Sequence, residues 1–315
     1  MTIESPPPRT GIVIADDGLA LQVSDWRLPA GAARRGCLLI VHGLGEHIGR
    51  YAHVARSVVA AGFEVRGYDQ RGFGASPGPR GVIPHEDALL DDARRVFEAW
   101  HHECGELPVL LGHSMGGAVA ARACTGGWIS PRALALSSPA IAGRLSAAQR
   151  LALRVGRWLV PDRPLPSLLD PGAVSRDPAV VADYRSDPRN HALASPRLAD
   201  FILRAGQQAL ADASSMRVPT LVMIGTADRL VDVAAARAFH DAVPPSLRTL
   251  RVYEGFYHEL FNEPADDRAR VLADLQAWLS GLPDLPTVPA DATPPAIPAD
   301  ATPATPGASM RLGDG

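Results

Sequence analysis

The chain lacks surplus charge, paired cysteines and long apolar runs, and each shortage excludes a class of function. A formal net charge of −3 over 315 residues provides no one-signed field for gripping nucleic acid or another polyanion. Three cysteines, Cys37, Cys104 and Cys124, are scattered without paired spacing. An odd, dispersed set fits reduced thiols in a cytoplasmic protein, with Cys37 and Cys124 filling core space. No segment approaches the roughly 20 uninterrupted apolar residues that cross a bilayer. The opening Met-Thr-Ile-Glu-Ser-Pro-Pro-Pro shows no basic patch leading into an apolar stretch, so a cleaved secretory peptide is not expected. What is present in quantity is apolar side chain, 46% of residues, enough for one large domain or two small ones.

Strand-like and helix-like segments alternate for most of the length, which predicts an α/β domain with a mainly parallel sheet flanked by helices. Residues 11–15 and 20–27 read as an opening hairpin around Asp16-Asp17-Gly18. Cys37-Leu-Leu-Ile-Val41 is apolar without alternation, as a strand covered on both faces should be. Further strands are expected at 63–68, at the Val-Leu-Leu run before Ser114, and at 133–136, 220–224 and 247–253, with helices at 51–61, 86–101, 233–243 and 265–279. Between 140 and 215 the pattern changes: prolines, no clear strand and at least two amphipathic helical segments. This block reads as a helical cap inserted after the sixth strand, between core segments 1–139 and 216–281. Residues 282–315 repeat Pro-Ala-Asp-Ala-Thr-Pro and hold almost no large apolar side chains. Such a segment cannot offset its ordering entropy, so a disordered tail is expected there.

The chemistry starts at residues 108–117, Pro-Val-Leu-Leu-Gly-His-Ser-Met-Gly-Gly. Here Gly-x-Ser-x-Gly sits between an apolar strand and a helix-forming Ala-Val-Ala-Ala-Arg-Ala, the setting that makes it a nucleophile turn. Gly112 and Gly116 leave room for the sharp bend, and Ser114 protrudes. A serine hydroxyl needs a base, and neutral histidine is the usual one near pH 7. In a strand–turn–helix serine hydrolase the acid and then the histidine follow the serine. Asp228 lies just past one apolar strand and His258 just past the next, so both loops should meet at the edge where Ser114 turns. Asp232 is the substitute acid, and a helix-capping role for Asp228 is the simpler alternative. His191 falls in the cap and His240 in a helix, which leaves His258 as the base. Backbone N–H groups of Met115 and of Leu44, in His42-Gly43-Leu44-Gly45-Glu46-His47, are placed to hold an oxyanion. His42, Glu46 and His47 do not have the spacing of a metal site, and neither a metal nor another cofactor is expected.

Taken together, His42-Gly-Leu-Gly-Glu-His47 with Gly49-Arg50-Tyr51, Asp69-Gln-Arg-Gly-Phe-Gly-Ala-Ser76, Gly-His-Ser-Met-Gly-Gly, Gly225-Thr-Ala-Asp-Arg-Leu-Val-Asp232 and Tyr257-His258-Glu-Leu resemble a known family. It is the monoacylglycerol lipase and lysophospholipase branch of the α/β-hydrolase fold, among the serine aminopeptidase S33-type hydrolases. The resemblance implies a Ser114–Asp228–His258 triad, Leu44 and Met115 as oxyanion donors, and a mobile cap admitting an acyl chain. The implied activity is hydrolysis of monoacylglycerol- or lysophospholipid-like esters through an acyl-enzyme. The cap departs most from the family pattern, so substrate identity is its least determined property.

Within the cap, Leu198, Phe201, Ile202 and Ala205 form an apolar stripe that could roof an acyl channel. Leu151, Val155, Trp158 and Leu159 lie on one face of a second helix, with Arg150, Arg154 and Arg157 on another. Such a helix could rest on an anionic membrane surface. The expected arrangement is the plainer one, with the apolar face packed onto the pocket and the arginines solvated. Rival activities are a short-chain carboxylesterase and a serine aminopeptidase, the latter needing acidic cap residues such as Asp177, Asp183 and Asp187 for a substrate ammonium. A rival of another class is a non-catalytic ligand receptor on a hydrolase scaffold.

Overall fold

The computed structural model describes residues 7–143, 145–167 and 169–283. The tail expected over 282–315 therefore lies, but for its first two residues, outside the described residues. In chain order, β1 (Arg9–Ile14) and β2 (Ala20–Trp26) make the opening antiparallel hairpin. There follow β3 (Gly36–Val41), α1 (Ala52–Ala60), β4 (Phe63–Tyr68), α2 (Ala88–Cys104), β5 (Val109–His113), α3 (Met115–Thr125) and β6 (Ala133–Ser137). The insertion holds α4 (Ala147–Leu159), the short pair β7 (Leu165–Pro166) and β8 (Leu193–Ala194), α5 (Pro178–Ser186) and α6 (Pro196–Ala211). Then β9 (Thr220–Gly225), α7 (Val233–Ala242), β10 (Arg248–Tyr253) and α8 (Ala265–Ser280) complete the core.

Eight strands form one sheet in the order β1-β2-β4-β3-β5-β6-β9-β10, antiparallel at β1, β2 and β4 and parallel from there on. The α/β-hydrolase architecture, a mostly parallel sheet flanked by helices, is thus present. The central strands β3, β5, β6 and β9 are buried along their whole length, which is why their sequences are uninterrupted apolar runs. Successive side chains still alternate between two cores: Leu39 and Val41 join α2, α3, α6 and α7, whereas Leu38 and Ile40 join α1 and α8.

The strand order reverses between β3 and β5, since β3 leads to β4 on one side and β5 leads to β6 on the other. A crevice opens at such a switch point, outside the carboxyl ends of the strands. The loops after β3, β5, β9 and β10 all leave from that edge. The insertion covers it in two ways. Helix α6 packs on α3 and buries Leu198, Phe201, Ala205 and Ala209 in the same core as the sheet. Helix α4, started by a Ser146–Gln149 capping box, buries none of its residues. The two-residue strands β7 and β8 were not anticipated; pairs that short leave no periodic trace in sequence.

Candidate active site

Ser114 sits between β5 and α3 with φ 54° and ψ −119°, a strained conformation for a residue with a side chain. The turn is over-determined by its surroundings. Ser114 N–H donates to Ser137 O at 3.1 Å, and Ser114 O accepts from Ala118 N and Ala140 N at 3.0 and 2.9 Å. The framing glycines are sterically required. A methyl group at Gly112 would strike the carbonyl of Gly116, and one at Gly116 would strike the carbonyls of Val41 and His42.

Two loops bring distant residues to this serine. Past β9, Asp228 is 2% exposed, and its Oδ1 accepts from Leu230 N and Val231 N at 2.8 and 3.2 Å. Past β10, His258 is 4% exposed, with Nδ1 2.7 Å from Asp228 Oδ2 and Nε2 2.8 Å from Ser114 Oγ. A carboxylate can only accept, so Nδ1–H donates to Asp228 and the Nε2 lone pair faces the serine hydroxyl. Burial disfavours the charged imidazole, yet Asp228 and the carboxylates of Glu259 and Glu46 hold the His258 pKa above its ordinary value. Burial likewise opposes ionisation of Asp228, but His258 and the two backbone donors keep its pKa below the ordinary range. Asp232, the alternative acid, instead caps α7 through Ala234 N. His191 and His240 lie elsewhere, the former bonded to Gly72 O and the latter beside Asp241.

The loop after β3 carries Leu44 over the same spot. Leu44, Met115 and Ser114 line one cavity together, and among the described residues neither the Leu44 nor the Met115 N–H donates to a protein acceptor. Two such donors beside the Ser114 hydroxyl, one of them at the start of α3, have the placement that holding an oxyanion requires. His42, Glu46 and His47 are engaged in holding this loop. His42 Nε2 accepts from Gln70 N at 2.9 Å, Glu46 accepts from Gly43 N at 2.6 Å, and His47 bonds Asp187 at 3.0 Å.

Two spaces open at Ser114. An apolar cavity of about 470 Å³ runs under the insertion, walled by Leu153 and Gly156 of α4, Leu165, Ile202 and Leu203 of α6, Leu230 and Val231. A small recess of about 30 Å³ adjoins it at Ser114, lined by Glu46, His113, Ser167, Asp170, Tyr184 and Glu259. Of the three α6 residues expected at the substrate, Ile202 lines the cavity. Leu198 and Phe201 do not: they point down onto α3 and are 0% and 2% exposed. The apolar stripe is real, but its centre meets the core and only its edge meets the cavity.

Helix α4 also differs from expectation. Gln149, Ala152, Leu153 and Gly156 face the cavity, while Leu151, Val155, Trp158 and Leu159 face outward, Trp158 at 82% exposure. Arg150 and Arg154 are exposed, but Arg157 pairs with Glu86. Asp177, Asp183 and Asp187 line neither space.

Beneath the site is a polar layer that sequence reasoning passed over. The His113 ring lies 4.8 Å from that of His258, and burial, together with the neighbouring imidazole, pushes its pKa down to about 4. Arg50 joins Glu46 at 2.7 Å to Glu259 at 2.6 Å. Only the Glu46–Arg50 spacing, four apart, was a readable signal, and it also describes an ordinary surface pair.

The comparisons with known proteins agree with this architecture. A family profile described as serine aminopeptidase, S33, matches residues 32–265. The monoacylglycerol lipase of Mycolicibacterium smegmatis is 38% identical over 251 residues, covering 78% of this chain and 88% of that protein. The crystal structure of the Paleococcus ferrophilus monoacylglycerol lipase superposes with a TM-score of 0.74 at 30% identity, covering 82% of this chain and 98% of that one. A soluble variant of monoglyceride lipase from Saccharomyces cerevisiae shares the fold, with a TM-score of 0.80 at 22% identity over 89% of this chain and 97% of that one. The chain therefore belongs to the serine aminopeptidase S33 family of α/β-hydrolases, the family in which monoacylglycerol lipases fall, and is a hydrolase.

Proposed function

We propose that this protein is a cofactor-independent serine esterase acting on monoacylglycerols. His258 takes the Ser114 proton as the oxygen attacks the ester carbonyl. Asp228 keeps Nδ1 protonated and stabilises the imidazolium that forms. The Leu44 and Met115 N–H groups hold the oxyanion, each contributing roughly 3 kcal/mol to barrier reduction. His258 then protonates the leaving alcohol, and water, deprotonated by the same imidazole, releases the acid. The observation that carries this reading is His258 in simultaneous contact with Ser114 and Asp228 at the mouth of an apolar cavity.

The two spaces divide the substrate between them. The apolar cavity suits an acyl chain, and the recess, at about 30 Å³, has room for a hydroxyl group of the alcohol. Because Glu46, Asp170 and Glu259 line the recess and no arginine does, a neutral glycerol is favoured over a phosphate-bearing head group. Lysophospholipids are the weaker half of the substrate class. The acidic cap residues a serine aminopeptidase was expected to use, Asp177, Asp183 and Asp187, lie away from both spaces.

The outward apolar face of α4 supports a peripheral contact with lipid. Its outer apolar face sits on the opposite side of the helix from the cavity wall, beside two exposed arginines, so a membrane under it would lie next to the route of a lipid substrate.

The test is hydrolysis of p-nitrophenyl esters across chain lengths, then of 1-monoacylglycerol against lysophosphatidylcholine, with Ser114→Ala as control. A medium or long optimum with monoacylglycerol preferred is expected. A short-chain optimum would instead identify a carboxylesterase, and no Ser114-dependent turnover at any length a receptor.

A further inference from the structure

We infer that Arg50 is a positioning residue, a single guanidinium that locks the loop carrying the oxyanion donor to the loop carrying the base. This rests on the catalytic reading above and deepens it. Arg50 Nη1 donates to Glu46 Oε2 at 2.7 Å and to Glu259 Oε1 at 2.6 Å, and Nη2 donates to Glu259 Oε2 at 2.6 Å. Both carboxylates are nearly inaccessible, their side chains 3% and 5% exposed.

Each carboxylate is the handle of one catalytic loop. Glu46 Oε1 accepts from Gly43 N at 2.6 Å, one residue before Leu44, and from Tyr51 OH at 2.7 Å. Glu259 directly follows His258, and its backbone N–H donates to Val174 O at 2.7 Å. Arg50 and Glu259 are 209 positions apart in the chain, yet one planar fork spans the two loops. Turnover needs the oxyanion donors and the imidazole at fixed separation, because one carbonyl group must meet both at once. A lysine could neutralise the same charges, but its point ammonium cannot hold two carboxylates in a fixed plane. The Tyr184 ring of the insertion packs 4.8 Å from the guanidinium and closes the joint from above.

The joint also sets the field at the base. The charged and titratable groups facing His258 are Asp228, Glu259, Glu46 and the His113 ring, and those facing Glu46 are Arg50, Tyr51, His42, His113 and Tyr184 of the insertion. With Arg50 shared, the trio of Glu46, Arg50 and Glu259 retains one net negative charge beside the imidazole. Neutralising Glu259 removes it.

Steady-state kinetics of Arg50→Lys, Glu259→Gln and the double variant, on a p-nitrophenyl ester between pH 5 and 9, test this against wild type and Ser114→Ala. Arg50→Lys is expected to lower kcat by about 10- to 100-fold with KM changed little, since the charge remains but the geometry slackens. Glu259→Gln is expected to lower kcat and to move the acid limb of kcat/KM to lower pH. The double variant should lose no more than the larger single loss, as partners in one joint do. Wild-type kcat in Arg50→Lys, an unmoved acid limb in Glu259→Gln, or additive losses would overturn the inference while leaving the triad intact. A Glu259→Gln result stands even if Arg50→Lys fails to fold. Ser114-independent turnover would sink the triad and the joint together.

Discussion

At the scale of single residues, the site is a set of side chains whose ordinary properties have been changed by their neighbours. Replacing Ser114 by Ala should lower kcat by roughly 10⁴-fold or more with the far-UV circular dichroism unchanged, because the exchange removes only the hydroxyl that meets His258. His258 must be neutral to act as a base, and its pKa is held above the usual histidine value despite burial. The acid limb of kcat/KM is therefore expected above that value, and Asp228→Asn should abolish most activity by removing the acceptor that fixes the tautomer. A pH–rate profile on a soluble ester reads both. Gly112→Ala offers a different kind of check. Its methyl would meet backbone rather than a flexible side chain, so a stability loss of about 1–3 kcal/mol is expected, seen as a melting temperature lower by several degrees.

At the scale of elements, α4 and α6 differ although both have an apolar stripe. Helix α6 spends its stripe on α3, so Leu198→Ala should cost stability, roughly 2–5 kcal/mol, before it alters chain-length preference. Ile202→Trp, at the cavity wall, should shorten the preferred acyl chain with little loss of stability. Helix α4 leaves its stripe in water. If lipid covers it, Trp158→Ser and Leu151→Ser should each weaken flotation with anionic vesicles by about 10-fold, the partitioning value of a buried large apolar side chain. Arg150→Glu/Arg154→Glu should weaken it further and make the remaining binding insensitive to salt. Flotation equal to wild type in all of these variants would remove the lipid contact and leave the exposed face without an occupant.

At the scale of the whole molecule, the polar layer under the site makes stability depend on pH. Burial and the His258 imidazole depress the His113 pKa to about 4, so from its ordinary 6.5 down to there the unfolded chain binds a proton that the folded chain refuses. Stability falls through that window as pH falls. Glu46 is buried, but Arg50, His113, His42 and Tyr51 hold its pKa at about 2, and Asp228 is also depressed. Their contribution is complete above the ordinary carboxylate range and lost as pH drops below it. His258 acts in the opposite sense: its contribution is present at low pH and lost as pH rises through its folded pKa. Urea midpoints should therefore decline from about pH 6.5 downward. His113→Gln should flatten the upper part of that decline and Glu46→Gln the lower part. Among the described residues no helix is long and apolar enough to cross a membrane.

Much of this was legible in the chain, for local reasons. Apolar runs without alternation mark strands buried on both faces, glycines around Ser114 mark a turn no other residue tolerates, and the order Ser, Asp, His places each group just past a strand end. These signals need only a few neighbours to be read. Tertiary structure decided what lies against what. Leu198 and Ile202 belong to one stripe, yet α3 covers the first and the cavity bares the second. Arg157 shares its helix face with Arg150 and Arg154, yet it alone of the three meets Glu86. The Arg50 joint ties positions 209 apart. An amphipathic pattern records that a face is to be covered and a charge records that it is to be met; neither records by which part of the chain, because that choice is made only when the sheet closes and distant loops arrive at one edge.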